Sequence, residues 1–147
     1  MAKLTFVGGI HPYDGKDLSK DKPIQDILPK GELVYPLSQH IGAPAKAIVE
    51  KGERVLAGQK IAESGGFVSA PVYASVSGTV KAIEPRRVVT GDLIMSIVVE
   101  NDEMYEDVGF YPSAPLEKLS REEIIDIIRE DGIVGMGGAG FTTHVKL

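Results

Sequence analysis

The chain has 147 residues, 43% of them hydrophobic and 25% charged, with 17 glycines, 9 prolines and a formal net charge of −5. That length holds one ordinary domain, or a small domain and part of another, with the composition of a globular protein. The negative balance removes the electrostatic footprint of nucleic-acid or anionic-lipid binding, and the absence of cysteine removes disulfides, thiol catalysis and cysteine-ligated clusters from these residues.

Residues 1–33 read as a lead segment. Met1 to Val7 is too short for the apolar core of a signal peptide. Gly8-Gly9-Ile10-His11-Pro12 follows, then a charged loop from Asp14 to Lys22 and the run Pro23 to Pro29, too short for a helix. The segment has too little apolar surface to fold alone and is expected to wrap onto something else.

Residues 34–100 carry an approximate internal repeat. Lys46-Ala47-Ile48-Val49 leads to Val55-Leu56-Ala57-Gly58-Gln59-Lys60-Ile61, and Lys81-Ala82-Ile83-Glu84 leads to Val88-Val89-Thr90-Gly91-Asp92-Leu93-Ile94. Each copy reads as a strand, a glycine turn and a second strand. Such units cannot bury an apolar face alone, so the pattern predicts a small sandwich of two short antiparallel sheets. Alternating Val, Leu and Ile are expected to face inward, with Lys, Glu and Arg outward. The longest apolar run, Leu93 to Val99, has the length of a strand and not of a membrane span.

This module resembles the barrel-sandwich hybrid of biotinyl and lipoyl domains through Lys51-Gly52-Glu53-Arg54-Val55, Ala57-Gly58-Gln59-Lys60-Ile61 and Ser75-Val76-Ser77-Gly78-Thr79-Val80. A carrier of that kind attaches its cofactor to a lysine at a hairpin tip. From Ile61 through Val80 there is no lysine, and the expected tip is Ser64-Gly65-Gly66-Phe67-Val68-Ser69. The resemblance therefore implies the fold without the carrier chemistry: a docking or packing element.

Residues 101–119 read as a linker, acidic at first and then punctuated by Pro112 and Pro115. A helix is predicted next. Ser120 is an N-cap, Glu123 completes a capping box, and Leu119 with Ile124 forms a hydrophobic staple. Ile124, Ile125, Ile127 and Ile128 are its expected buried face, and Gly132 its stop.

The helix runs into Gly135-Met136-Gly137-Gly138-Ala139-Gly140-Phe141-Thr142-Thr143, where four of six consecutive residues are glycine. Glycines let a flat or phosphorylated ligand approach the main chain closely. Gly135, Gly137 and Gly140 satisfy G-x-G-x-x-G, but a capped helix precedes them and no βαβ unit follows, so this is no dinucleotide fingerprint of the Rossmann type. Phe141 stands where a phosphate-binding Walker loop requires lysine. A solvated linker would interleave Ser, Thr or charge. Here Ile133, Val134, Met136, Ala139 and Phe141 alternate with the glycines, which predicts a packed, ligand-facing loop. Thr142 or Thr143 is a candidate cap for a following turn, with Lys146 in reach of an anion.

No acid–base pair, nucleophile constellation or metal cluster stands out. His11, His40 and His144 lack ligand spacing and read as surface or hydrogen-bonded histidines. The acidic pairs Glu122-Glu123 and Glu130-Asp131 read as a solvated helix face.

Taken together, Gly8-Gly9-Ile10-His11-Pro12, the lysine-free barrel module and the run from Gly132 to Phe141 resemble the C-subunit family of the Rnf ferredoxin:NAD oxidoreductases. The glycine run is also similar to the flavin/NADH loop of the 51-kilodalton flavoprotein subunit of respiratory complex I. The resemblance implies an N-terminal fragment of a subunit that transfers electrons between ferredoxin and NAD in an ion-translocating membrane complex. It would sit peripherally on the cytoplasmic side through partner subunits.

Residues 120–147 would then begin an α/β flavin/NADH-binding domain. Gly135, Gly137, Gly138, Ala139 and Gly140 would contact FMN or NAD(H), and Lys146 would sit near a phosphate. Two 4Fe-4S clusters would be bound by cysteines further along the family's chain, and none of these cofactors is expected on this fragment by itself. The family reads F-P-T after the last glycine where this chain has Phe141-Thr142-Thr143, a change expected to alter the backbone little. Two other readings stand beside this one: a non-catalytic barrel-sandwich adaptor, and a flavoprotein of the cobalamin-reductase type. In isolation the last ten or so residues are expected to be mobile and to bind nothing tightly.

Overall fold

A computed structural model describes residues 12–109, 114–138 and 140–147. The motif residues Gly8 to His11, Pro112 of the predicted linker and Ala139 of the glycine loop lie outside them. Strands form where β-branched and aliphatic residues alternate with polar ones: β1 (Glu32–Pro36), β2 (Lys46–Ala47), β3 (Arg54–Val55), β4 (Lys60–Glu63), β5 (Val72–Tyr73), β6 (Gly78–Arg87) and β7 (Leu93–Asn101). They make two antiparallel sheets, ordered β1-β7-β6-β3 and β2-β4-β5. The larger sheet curls over the smaller, with a register shift between Val80 and Ala82 where β6 bends against β7. The architecture is mainly β and consistent with a barrel-sandwich hybrid, with one α-helix after it.

Each repeat copy supplies one antiparallel pair to a different sheet: β2 with β4 from the first, β6 with β7 from the second. The turn glycines at matching places, Gly58 and Gly91, both have left-handed φ, 80° and 91°. Only glycine takes that conformation without steric cost. Between the strands the copies diverge. In the second, Val88 N–H donates to Asp92 O at 3.0 Å and closes a direct hairpin. In the first, the connection crosses to the other sheet, where Val55 pairs with Gly78 of β6. Val55 is thereby wholly buried, whereas Val89 and Leu93 stand exposed, contrary to the inward orientation expected of the second copy.

The core joins both sheets: Val55, Ile61, Val76, Val80, Ile97 and Val99 are fully buried, with Tyr35, Leu37 and Ala62 beside them. Each side chain of this size contributes about 1.5–3 kcal/mol by leaving water. Strict alternation fails along β7, where Ser96 to Val99 are all buried. β7 is flanked on both sides, and Val98, on the face away from the core, lies between its partners Val34 and Ala82.

After β7 the chain stays on the barrel. Ser77 Oγ donates to Asp102 Oδ1 at 2.6 Å and accepts Glu106 N–H at 3.0 Å, and Arg54 Nη2 donates to both carboxylates. The Ser77 hydroxyl, then the Met104 amide and Arg54, hold the Asp102 carboxyl below its ordinary value. Ala57 then pairs with Asp107 in an isolated parallel bridge, with Ala57 N–H donating to Glu106 O and Val108 N–H to Ala57 O. The first half of the predicted linker thus lies against the β3–β4 connection. The lead segment behaves differently. Its residues 12–30 are almost all exposed, Ile24 and Ile27 included, and it forms one 3-10 turn at Lys16–Leu18. It joins the barrel at its last residues, where Pro29 O accepts from Asn101 Nδ2 and Tyr105 OH.

Gly78 sits where β6 meets β7, and a Cβ there would lie 2.1 Å from Glu100 O and 3.0 Å from a Val99 methyl. Gly78→Ala should therefore cost about 1–3 kcal/mol through overpacking. Urea titration should show a lowered midpoint with an unchanged slope; an unchanged midpoint would mean that the ladder yields at this point.

Candidate functional site

The helix α1 (Arg121–Glu130) begins as its sequence predicts. Ser120 Oγ accepts Glu123 N–H at 3.2 Å, and Glu123 Oε2 accepts Ser120 N–H at 2.7 Å. The Ser120 amide, then the Ser120 hydroxyl, which donates to the same oxygen at 2.8 Å, hold the Glu123 carboxyl below its ordinary value. The end is a Schellman motif: Ile133 N–H donates to Ile128 O and Gly132 N–H to Arg129 O. Gly132 has φ 67°, and a Cβ there would lie 2.7 Å from Pro71 O. One glycine therefore ends the helix and brings it against the barrel.

The apolar face of α1 departs from expectation. Ile124, Ile125, Ile127 and Ile128 are all half-buried and none is buried. Leu119 and Ile124, the predicted staple pair, line one shallow groove with Leu116, Ile127 and Ile128. Amphipathic spacing fixes which face is apolar, but the described residues cover it only in part.

Beyond Gly132 the chain makes a closed-neck loop. Val134 and Thr142 form an antiparallel bridge, Gly135 N–H donates to Phe141 O at 2.9 Å, and Thr143 N–H donates to Ile133 O at 3.1 Å. Packing stops at this neck. Val134 and Phe141 are half-buried, whereas Met136 is fully exposed and Gly137 and Gly138 are exposed. The predicted packed loop is packed at its base and open at its tip. Gly138 and Gly140 have φ of 62° and 58°, so the tip bends as glycine allows. Nothing among the described residues lies within 4 Å of a Cβ built on Gly137 or Gly138. Among the described residues, neither N–H has an acceptor. A ligand with acceptor oxygens fits such a tip.

After the loop, Thr143–Lys146 form a 3-10 turn with Thr142 at its N-cap position, though without a side-chain cap bond. The Lys146 ammonium lies 5.4 Å from the centre of the Phe141 ring and so stays beside the neck. His144 is buried, with Nε2 3.3 Å from Phe67 O, while its Nδ1 and Thr142 Oγ1 are buried without partners among the described residues. Buried polar atoms in that condition are rare, and these two belong to the neck of the loop and the turn after it. Of the other histidines, His40 uses both ring nitrogens in hydrogen bonds, as expected, and His11 lies outside the described residues.

The barrel supplies the wall opposite. Tyr73 OH donates to Glu130 O, and Lys60 pairs with the Glu130 carboxylate. That bond lowers the Glu130 carboxyl and raises the Lys60 ammonium, while burial raises the Tyr73 phenol. Two clefts lie in the seam. One of about 320 Å³ is lined by Tyr35, His40, Tyr73, Gly132 and Val134 among others. The second, about 400 Å³, brings together Lys60, Glu63, Arg129, Glu130 and His144. No group of three or more metal-ligating side chains occurs among the described residues. None of their helices is long and apolar enough to cross a membrane.

The RnfC barrel sandwich hybrid domain matches residues 4–104. The chain belongs to this family. It is 44% identical over 144 residues to the C subunit of the Na(+)-translocating ferredoxin:NAD(+) oxidoreductase complex of Acetobacterium woodii. It is 47% identical over 145 residues to the proton-translocating counterpart of Clostridium ljungdahlii, and 40% identical over 144 residues to the C subunit of the ion-translocating oxidoreductase complex of Vibrio cholerae. Each alignment covers 97% of the chain, but only 32%, 32% and 19% of the respective relative. The RnfC match spans the barrel, while the longer alignments extend across α1 and the glycine loop. Sequence reasoning identified the loop from its glycines and missed the groups that seat it, His40, Phe67 and Tyr73. Their contacts join segments 30 or more residues apart, which no local pattern reports.

The Lys60–Glu130 pair sets a pH response. The Glu130 carboxyl is lowered in the fold, so its contribution is complete above the unfolded value and disappears as pH falls through the folded one. Both side chains are substantially exposed, so screening limits the gain to about 1 kcal/mol or less. Denaturation midpoints should fall between pH 6 and pH 3 (roughly, spanning the ordinary carboxylate range). Glu130→Gln should narrow that fall; an equal fall in the variant would show that the pair contributes nothing.

Proposed function

We propose that the chain forms part of the C subunit of an ion-translocating ferredoxin:NAD oxidoreductase, and that its glycine loop is half of a flavin or nicotinamide nucleotide site. The observation that carries the reading is the loop's combination of a closed neck with an open tip. Among the described residues, Gly137 and Gly138 have open space beside them and N–H groups without an acceptor, and Lys146 adds a cation at the neck. The family relation supports it, because relatives aligned across this loop carry ferredoxin and NAD(+) in their names.

In this reading Gly135, Gly137, Gly138, Ala139 and Gly140 receive the ligand along the main chain, and Lys146 neutralises a phosphate. FMN or NAD(H) would supply the hydride and electron chemistry. This chain's own residues bind and orient, and none acts as acid, base or nucleophile. The half-buried isoleucine face of α1 is where an α/β domain beginning at residue 120 would continue, since the relatives are three to five times longer than the aligned segment. Two 4Fe-4S clusters belong to that continuation. Other subunits of the complex and ferredoxin are the partners, and the subunit is peripheral on the cytoplasmic side.

Gly137→Val tests the site without disturbing the fold, because the added side chain meets open space. In the natural full-length polypeptide it should change stability by no more than about 0.5 kcal/mol. FMN and NADH titrations followed by fluorescence should show binding weakened at least ~10-fold, with Lys146→Ala losing about as much. Unchanged affinity for both ligands in Gly137→Val would remove the loop from the site.

A further inference from the structure

We infer that the tip of the barrel's β4–β5 hairpin is a clamp that sets the glycine loop, with His40 as its positioning residue. The reach of this clamp to a nucleotide rests on the function proposed above; the clamp itself rests on geometry. Four of five successive hairpin residues make a contact that matters. Phe67 O faces His144 Nε2 at 3.3 Å. Val68 O accepts Ala43 N–H at 2.9 Å. Ala70 N–H donates to His40 Nε2 at 3.1 Å. Pro71 O lies against Gly132, so closely that a Cβ there would come within 2.7 Å.

The strand-end segment from Gln39 to Ala43 completes the connection. Ile41 N–H donates to Gly140 O at 3.1 Å, and a Cβ on Gly140 would lie 3.8 Å from Gln39 O. His40 stands between hairpin and loop. Its Nε2 accepts the Ala70 amide, so that nitrogen carries no proton, and its Nδ1–H donates to Ile41 O at 3.1 Å. One imidazole therefore bonds the carbonyl of Ile41, the residue whose N–H holds Gly140. The loop is gripped on both sides of its neck, at Gly140 by the 39–43 segment and at Gly132 and His144 by the hairpin. Such support holds the tip in one conformation before a ligand arrives.

The test uses the natural full-length polypeptide with His40→Gln, His40→Asn and His40→Ala. A glutamine carbonyl reaches the position of Nε2 and can accept the Ala70 amide; an asparagine reaches only the Nδ1 position. Amide hydrogen exchange of the peptide spanning residues 134–147 should accelerate ~10-fold or more in the Ala and Asn variants, with β6 and β7 unaltered. NADH affinity should fall ~10-fold in the same two, while Gln keeps both properties within ~3-fold of the unaltered protein. Loop exchange unchanged in His40→Ala, or Gln no better than Asn, overturns the clamp. If the unaltered protein binds neither NADH nor FMN, the nucleotide reading falls, and the exchange comparison still decides the clamp.

Discussion

The ladder between β6 and β7 fixes the position of everything else. It runs from Gly78 opposite Asn101 to Arg87 opposite Leu93, and it is the only pairing of that length among the described residues. β1 is laid on one side of it and β3 on the other, while the shift at Val80/Ala82 increases the twist that curls the sheet. The opposing sheet has strands of two to four residues, too short to persist alone. Its Ile61 and Ala62 are buried in one cluster with Val80, Ile97 and Val99. The small sheet in turn presents Lys60 and Tyr73 to Glu130. Order therefore passes from the long ladder to the short sheet, and from the short sheet to the helix and the glycine loop.

Ion pairs contribute direction more than energy. Lys81 meets both Glu32 of β1 and Glu100 of β7, and Arg86 meets Glu32 and Glu84. The Lys81 bond is the chief reason the Glu32 carboxyl is lowered. These groups are exposed, or half-buried in the case of Arg86, and such pairs add little stability. Their effect is to penalise a slipped register, since a shift by one residue would carry Lys81 and its carboxylates to opposite faces.

The repeat made two strand pairs legible, and the glycines at 58 and 91 marked their turns correctly. The helix start at Ser120 and its stop at Gly132 were equally plain, because a cap is decided by residues within four positions. What stayed hidden is non-local. Val55 and Val88 occupy the same place in the two copies, yet Val55 crosses to pair with Gly78 while Val88 stays in a surface hairpin. Nothing within either copy distinguishes them. The isoleucines of α1 show the same limit, since spacing names an apolar face and says nothing about how much of it is covered. For the loop, composition indicated a ligand-facing element, but the bridge from Val134 to Thr142 and the bond from Ile41 to Gly140 depend on how distant segments meet.

The missing lysine and the seated loop have a common physical explanation. A carrier domain works when its hairpin tip is free, so that an attached group can travel. A loop with four glycines in six residues has the opposite need, because ordering each residue's backbone costs about 1–2 kcal/mol and glycine stands at the expensive end. Part of that cost is met at the neck, through bonds within the loop and through contacts with the barrel. Ala43, His40, His144 and Gly132 all contact residues 67–71, so the tip that would swing in a carrier is the surface against which the loop's neck is held. Those contacts are made by main-chain groups, Phe67 O and Val68 O among them, so they require a tip whose backbone stays in place and not one that swings. The barrel fold is thus compatible with either use of the hairpin but not with both, and this sequence has taken the static one.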